Sequence, residues 1–161
     1  MIRLLPSIPE SIDRFRANPW PFQKTLVTPR KDMASFLSTL LAAFPVDHGV
    51  ASTDQVVFEP DSFLELLKAR ELVIENHWTF CVEASNTEDV AALLDAMLND
   101  WIDFVFVPLP ESFAIYADHD EFLTFYVPTS SEFDQLVTRL ELVGFCFEDY
   151  VRPSGGNNIW R

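Results

Sequence analysis

The sequence predicts an α+β fold: a split β-α-β, ferredoxin-like antiparallel sheet with two helices on one face, preceded by an N-terminal helical segment. Three observations lead there. Trp78, Phe80 and Val82 alternate with Thr79, Cys81 and Glu83, the period of a half-buried strand, and further short Phe- and Val-rich runs follow through the C-terminal half. Two stretches, residues 78–107 and 123–151, share one pattern of strand, helix cap, amphipathic helix and Phe-rich strand, and two such units make a split β-α-β sandwich. The chain has 4 Gly and 11 Pro in 161 residues, too few glycines for a strand-only protein with many tight turns. A hydrophobic fraction of 48% is ample for a packed core.

The expected organisation is an N-terminal helical segment over residues 1–70 packed on the sheet. A core domain spans 71–152, and a frayed tail 153–161 carries Pro153, Gly155 and Gly156. Ser7-Ile8-Pro9-Glu10 has the spacing of a capping box and opens a short helix with Ile12 and Phe15 inward. Asn18-Pro19-Trp20-Pro21 stops it, and Trp20 reads as a clamp onto the core. Thr28-Pro29 suits an N-cap and first helical position. Met33, Phe36, Leu37, Leu40, Leu41 and Phe44 then fall on one helix face. A short strand is expected at Gln55–Phe58, and Asp61-Ser62 with Glu65 caps a helix to Ala69.

In the core domain, Trp78, Phe80 and Val82 alternate with Thr79, Cys81 and Glu83. Ser85-Asn86-Thr87-Glu88 caps a helix whose inward stripe is Val90, Leu93, Leu94, Met97 and Leu98. Strands follow at Ile102–Val107, Phe113–Ala117 and Phe122–Val127. The last two form a hairpin, because only Asp118-His119-Asp120-Glu121 separates them. Thr129 with Glu132 caps a second helix, Gly144 ends it, and Phe145–Val151 is the final strand. With Phe80, Val82, Phe145 and Phe147 toward the helices, the opposite face carries Cys81, Glu83, Asp103, Val105, Val107, Cys146, Glu148 and Tyr150. That face is half apolar and half acidic. The N-terminal helices, with their apolar stripe and basic residues, are its expected cover.

Charge bounds the partners. The chain has 11 Lys and Arg against 25 Asp and Glu, a formal net charge of −14. Residues 1–31 carry six basic residues and two acidic ones, and the remaining chain has a strong acidic excess. Such a domain repels nucleic acid and anionic lipid and attracts basic surfaces. No apolar run approaches the roughly 18 residues of a membrane span, and residues 1–9 make a poor signal peptide. A cytoplasmic protein is the expectation, with Cys81 and Cys146 as buried free thiols. The oligomeric state stays open.

Individual residues point to binding more than to chemistry. Asp118-His119-Asp120-Glu121 surrounds an imidazole with carboxylates, yet Asp is favoured in such turns for its backbone bonding. An acidic prong that grips a basic partner is compatible with a turn. His48 beside Asp47 reads as a solvated pair, and His77 as packing at a strand start. No phosphate-cradling loop, nucleophile elbow or Cys/His metal spacing is present in the sequence. No catalytic or metal-ligating residue is therefore assigned, and no cofactor is expected. The expected partner surface is Glu83, Asp103, Asp118, His119, Asp120, Glu121, Glu148, Asp149 and Tyr150.

An acidic interaction protein that neutralises a basic protein partner is the leading functional expectation. In size, acidity and lack of a catalytic signature, the chain is similar to the immunity proteins of bacterial toxin systems. That resemblance is one of general character and implies a protein that blocks a toxin domain by covering it. Two alternatives come from other classes. One is a regulatory domain binding a small molecule on the face that holds Cys81, Cys146 and Tyr150. The other is a carboxylate-based metal-dependent or acid/base enzyme around Asp118, His119 and Asp120.

Overall fold

The computed structural model describes residues 1–28, 33–74, 79–120 and 122–152. The expectations placed on Pro29, His77, Trp78, Glu121 and the tail 153–161 lie outside the described residues. The fold is mixed α+β, with an eight-stranded sheet and five helices among the described residues. In chain order these are β1 (Ile2–Leu5), α1 (Glu10–Ala17), β2 (Phe22–Val27), α2 (Met33–Ala43), β3 (Gly49–Gln55), α3 (Asp61–Ala69) and β4 (Cys81–Ala84). There follow α4 (Thr87–Asn99), β5 (Asp103–Pro108), β6 (Ala114–Ala117), β7 (Phe122–Val127), α5 (Ser130–Leu142) and β8 (Phe147–Glu148). The strands lie in the order β1-β4-β3-β5-β6-β7-β2-β8, and neighbours pair antiparallel.

The N-terminal 70 residues correct the sequence reading. They contribute three strands as well as three helices, so they build part of the sheet in addition to covering it, with α1 on the face that carries Val105 and Val107. Two of those strands sit inside the C-terminal units. β3 lies between β4 and β5, and β2 lies between β7 and β8. The strand β2 was hidden by its polar run Gln23-Lys24-Thr25. Thr25 is fully buried, and its hydroxyl lies 2.9 Å from the Thr124 hydroxyl on β7, which satisfies both groups. The strand expected at Gln55–Phe58 lies earlier, at Gly49–Gln55. The final strand is only Phe147–Glu148.

Helix starts show which local signals hold. Asn86 caps α4 by accepting from the Asp89 N–H at 2.8 Å, and Thr129 caps α5 by accepting from the Glu132 N–H at 3.3 Å. The Ser7–Glu10 box does not form: α1 starts after Pro9 with no side-chain cap. The cap of α3 comes from elsewhere in the fold. Asp100, just past α4, accepts from the Ser62 and Phe63 N–H groups at 3.1 and 2.7 Å, which satisfies helix donors otherwise left without partners. Gly144 follows α5 at φ +92°, where a glycine carries no steric penalty.

Two apolar layers enclose the sheet. On one face Phe104, Phe106, Ile115, Leu123, Phe125 and Val82 pack under buried residues of α2, α3, α4 and α5. Four helices occupy that face, where the sequence pattern predicted two. On the other face Val50, Val105, Val107, Ala114, Tyr116 and Tyr126 pack under Ile12 and Phe15 of α1. Trp20 makes an edge-on contact with Phe15 at 5.5 Å. The strand period of two therefore sorts β5 cleanly, with the phenylalanines on the thick side and the valines on the α1 side. The eight-residue α1 is short for a sheet this wide. The part of the face beyond it is where the polar groups gather.

Candidate functional site

The α1 face holds a layer of buried charge that begins at α1 itself and runs beyond it toward an acidic rim. Arg16, on α1, reaches across to β3. It donates to the Ser52 hydroxyl at 3.0 Å, to the Thr53 carbonyl at 3.3 Å, and to the Asp54 carboxylate. Their side chains are 15% and 12% exposed, so this ion pair is largely desolvated. Asp103, at the start of β5, accepts from the His119 backbone N–H at 2.7 Å and lies 2.8 Å from His119 Nδ1. Asp118 accepts from the Phe122 N–H at 3.1 Å, which closes the β6–β7 turn, and its other oxygen accepts from Arg152.

Arg152 comes from the segment after β8, which crosses back over the α1 face. Its guanidinium carbon stands 4.0 Å from the centre of the Tyr116 ring. Its backbone is tied to Gln23 on β2 by two hydrogen bonds, Gln23 Nε2 to the Arg152 carbonyl at 2.9 Å and the Arg152 N–H to Gln23 Oε1 at 3.0 Å. Just before it, Tyr150 stacks on Phe122 with ring centres 5.0 Å apart.

This arrangement gathers most of the residues expected to meet a partner. Asp103, Asp118, His119, Asp120, Glu148, Asp149 and Tyr150 share one corner of the molecule, formed by the β6–β7 turn, β8 and the segment leading to Arg152. Within it, two roles separate. Asp103 and Asp118 are anchors whose oxygens are occupied within the fold by His119, the Phe122 N–H and Arg152. Asp120, Glu148, Asp149 and Tyr150 are exposed, the Asp120 side chain 77% so. Glu83 does not belong to the corner. It is buried on β4 near the opposite edge of the sheet, bound to Arg3 and lying 2.8 Å from His48 Nε2. The Arg3 hydrogen bond holds its carboxyl below the ordinary value. Glu121 lies outside the described residues.

Sequence reasoning missed Arg16, Gln23, Asp54, Tyr116 and Arg152. A usable signal was present for Arg152, one of few basic residues in an acidic C-terminal half. Nothing in sequence spacing joins Gln23 or Asp54 to it, because sheet order alone brings β2 and β3 to this face.

Burial raises the Asp54 carboxyl to about 6, against the lowering effect of Arg16, and Asp103 pushes the same way as burial. Its folded value therefore lies above its unfolded one. The folded state holds this proton more tightly, so the stability Asp54 contributes is full below about pH 4 and is lost as pH rises to about 6. Wild type should thus lose stability relative to Asp54→Asn over that interval, by an amount of order 2 kcal/mol. Urea denaturation of both proteins at pH 4, 5 and 6 tests this, since a constant difference across the series contradicts it.

Cys81 and Cys146 differ. Cys81 is buried, with its Sγ 3.3 Å from the Ser52 hydroxyl, and burial pushes its thiol up. Cys146 is exposed, which corrects the expectation that both are buried. Cys81 lines a pocket of about 440 Å³ with Leu5, Ile8, Arg16, Ser52, Asp54 and Phe80. Among the described residues, no group of His, Cys, Asp and Glu has the arrangement of a metal site. No helix among them is long and apolar enough to cross a membrane. No family model matches the chain, and neither the curated proteins nor the solved structures compared with it give a match.

Proposed function

We propose that this chain is an acidic interaction protein that binds and neutralises a basic protein partner, as an immunity protein covers a toxin domain. The observation that supports it most is how the chain uses its own cations. Arg3, Arg14, Arg16, Arg70 and Arg152 are each paired with a carboxylate of the same chain. At the corner, Glu148 and Asp149 are exposed and form no ion pair among the described residues. With Asp120 they flank Tyr150 and Val151, which are 40% and 67% exposed. A carboxylate rim around exposed apolar groups suits a partner whose basic residues surround an apolar contact. We also propose that β4-α4-β5 and β7-α5-β8 are two β-α-β units of ferredoxin-like kind, each with an N-terminal strand inserted. The reading includes a cytoplasmic setting, where such a partner would be met.

The test is affinity capture from lysate of the native host, with wild type and the triple variant Asp120→Lys, Glu148→Lys, Asp149→Lys run side by side. Wild type should retain one basic protein near stoichiometrically at low salt and release it as salt rises. The variant should retain little of it. Equal retention by both proteins, or no basic protein on either, overturns the proposal.

A second reading has one observation in its favour, the pocket beside Cys81, whose apolar walls and Arg16–Asp54 floor suit a small molecule with polar and apolar ends. It predicts thermal stabilisation by a small ligand, which the interaction reading does not require.

A further inference from the structure

The C-terminal arginine behaves like a ligand of the face it lies on. The Arg152 side chain is 8% exposed and enters a cavity walled by the Tyr116 ring and the Asp118 carboxylate. Asp103 and Asp54 add their negative charge from β5 and β3. This is the set of groups that recognises a guanidinium: an aromatic face for its plane, a carboxylate for its N–H edge, and an excess of negative charge around it. The segment that delivers it is lightly held. Residues 148–151 are exposed, and among the described residues β8 pairs only Phe147 and Glu148 with β2, with Lys24 over the Phe147 ring at 5.5 Å; the two Gln23 bonds and the Tyr150–Phe122 stack tie the residues that follow. The fit is incomplete as well. The Arg152 Nε is buried with no hydrogen-bond partner among the described residues.

We propose that this cavity is an arginine-binding socket, filled in cis by Arg152, and that an arginine side chain of the basic partner displaces Arg152 to occupy it. The identity of the displacing group rests on the function proposed above, while the socket itself does not. Asp120, Glu148 and Asp149 border the same corner, so a basic segment drawn to the rim arrives beside the socket. The cis arginine then sets a threshold. Apparent affinity for an incoming arginine is reduced by the fraction of molecules in which the socket is closed. A lone cation is held off, and a partner that also engages the rim can open it.

The probe is L-argininamide, with L-lysinamide as its control, followed by thermal denaturation and by two-dimensional NMR of the full chain. In Arg152→Ala the socket is empty. Argininamide should raise its melting temperature in a concentration-dependent way and shift the Ala117, Asp118 and Gln23 amides, with an apparent affinity about ten-fold or more above that for wild type. Lysinamide, which lacks the planar fork, should bind more weakly. Should Arg152→Ala not fold, Gln23→Ala serves in its place. It unties the backbone of the segment and leaves every socket side chain intact, so argininamide should bind it more tightly than wild type. Overturning results are a folded Arg152→Ala, or failing that a folded Gln23→Ala, that responds to argininamide no more than wild type does, or equal responses to the two amides. These results are separate from the capture experiment, because the triple rim variant leaves the socket residues untouched.

Discussion

Arg16→Ala is expected to destabilise the protein by about 3 to 5 kcal/mol, the scale of breaking a buried ion pair from one side. Arg16 and Asp54 are 15% and 12% exposed, so little water is at hand to replace the lost partner. The truncation strands the Asp54 carboxylate near Asp103 and withdraws donors from the Ser52 hydroxyl and the Thr53 carbonyl. It also cuts the polar tie between α1 and the sheet face that α1 covers. The loss should shrink at acid pH. Without Arg16, the Asp54 carboxyl rises further above its unfolded value and is protonated over more of the acid range. Urea denaturation at pH 7 and pH 5 measures both effects. A loss below about 1 kcal/mol at pH 7 would mean that the pair is effectively solvated.

The second large effect lies in the thick layer of the core. Phe106, on the central strand β5, is fully buried, so Phe106→Ala should cost about 3 to 5 kcal/mol. Its ring lies against Gly49 of β3, where an added Cβ would meet the ring carbons at 2.4 and 2.6 Å. Gly49→Ala alone should therefore cost about 1 to 3 kcal/mol through overpacking. The two changes relieve one another, since removing the ring vacates the space that the new methyl needs. The double variant should be less destabilised than the sum of the single ones by about 1 kcal/mol or more, a coupling expected only of residues in contact. A double-mutant cycle by chemical denaturation checks this, and strict additivity would contradict the contact.

What could be read from the sequence follows a physical divide. Elements set by local rules were legible. The hairpin strands around Asp118–Asp120, the Asn86 and Thr129 caps, and the stop at Gly144 each depend on residues within a few positions of one another. Elements set by tertiary pairing were not. The strand Phe22–Val27 looks too polar to be buried until Thr124 lies opposite Thr25. The helix α3 takes its cap from Asp100, 38 residues beyond the amide it serves at Ser62. The Ser7–Glu10 pattern had the spacing of a cap and formed none, because Pro9 takes the N-cap position with no side-chain oxygen to offer.

The candidate site divides the same way. Its exposed members, Asp120, Glu148, Asp149 and Tyr150, were identified from charge and hairpin position. The distinction between exposed acid and buried anchor was not available, because Asp103 and Asp118 differ from them only through what the fold places beside them. The cations beneath, Arg16 and Arg152, come from segments 136 positions apart and meet the same face only through the sheet order. Glu83 was grouped with the corner on face alternation alone. It does lie on that face, but at β4, five strands from β2 in the sheet order.

Whether the acidic rim captures a basic partner is tested by the association rate of the captured basic protein with wild type and with the triple rim variant, measured at several salt concentrations. Wild type should associate fast, with a rate that falls steeply with salt, and the variant should associate about ten-fold or more slowly at low salt. Equal and salt-independent association rates for the two proteins would contradict capture by the rim.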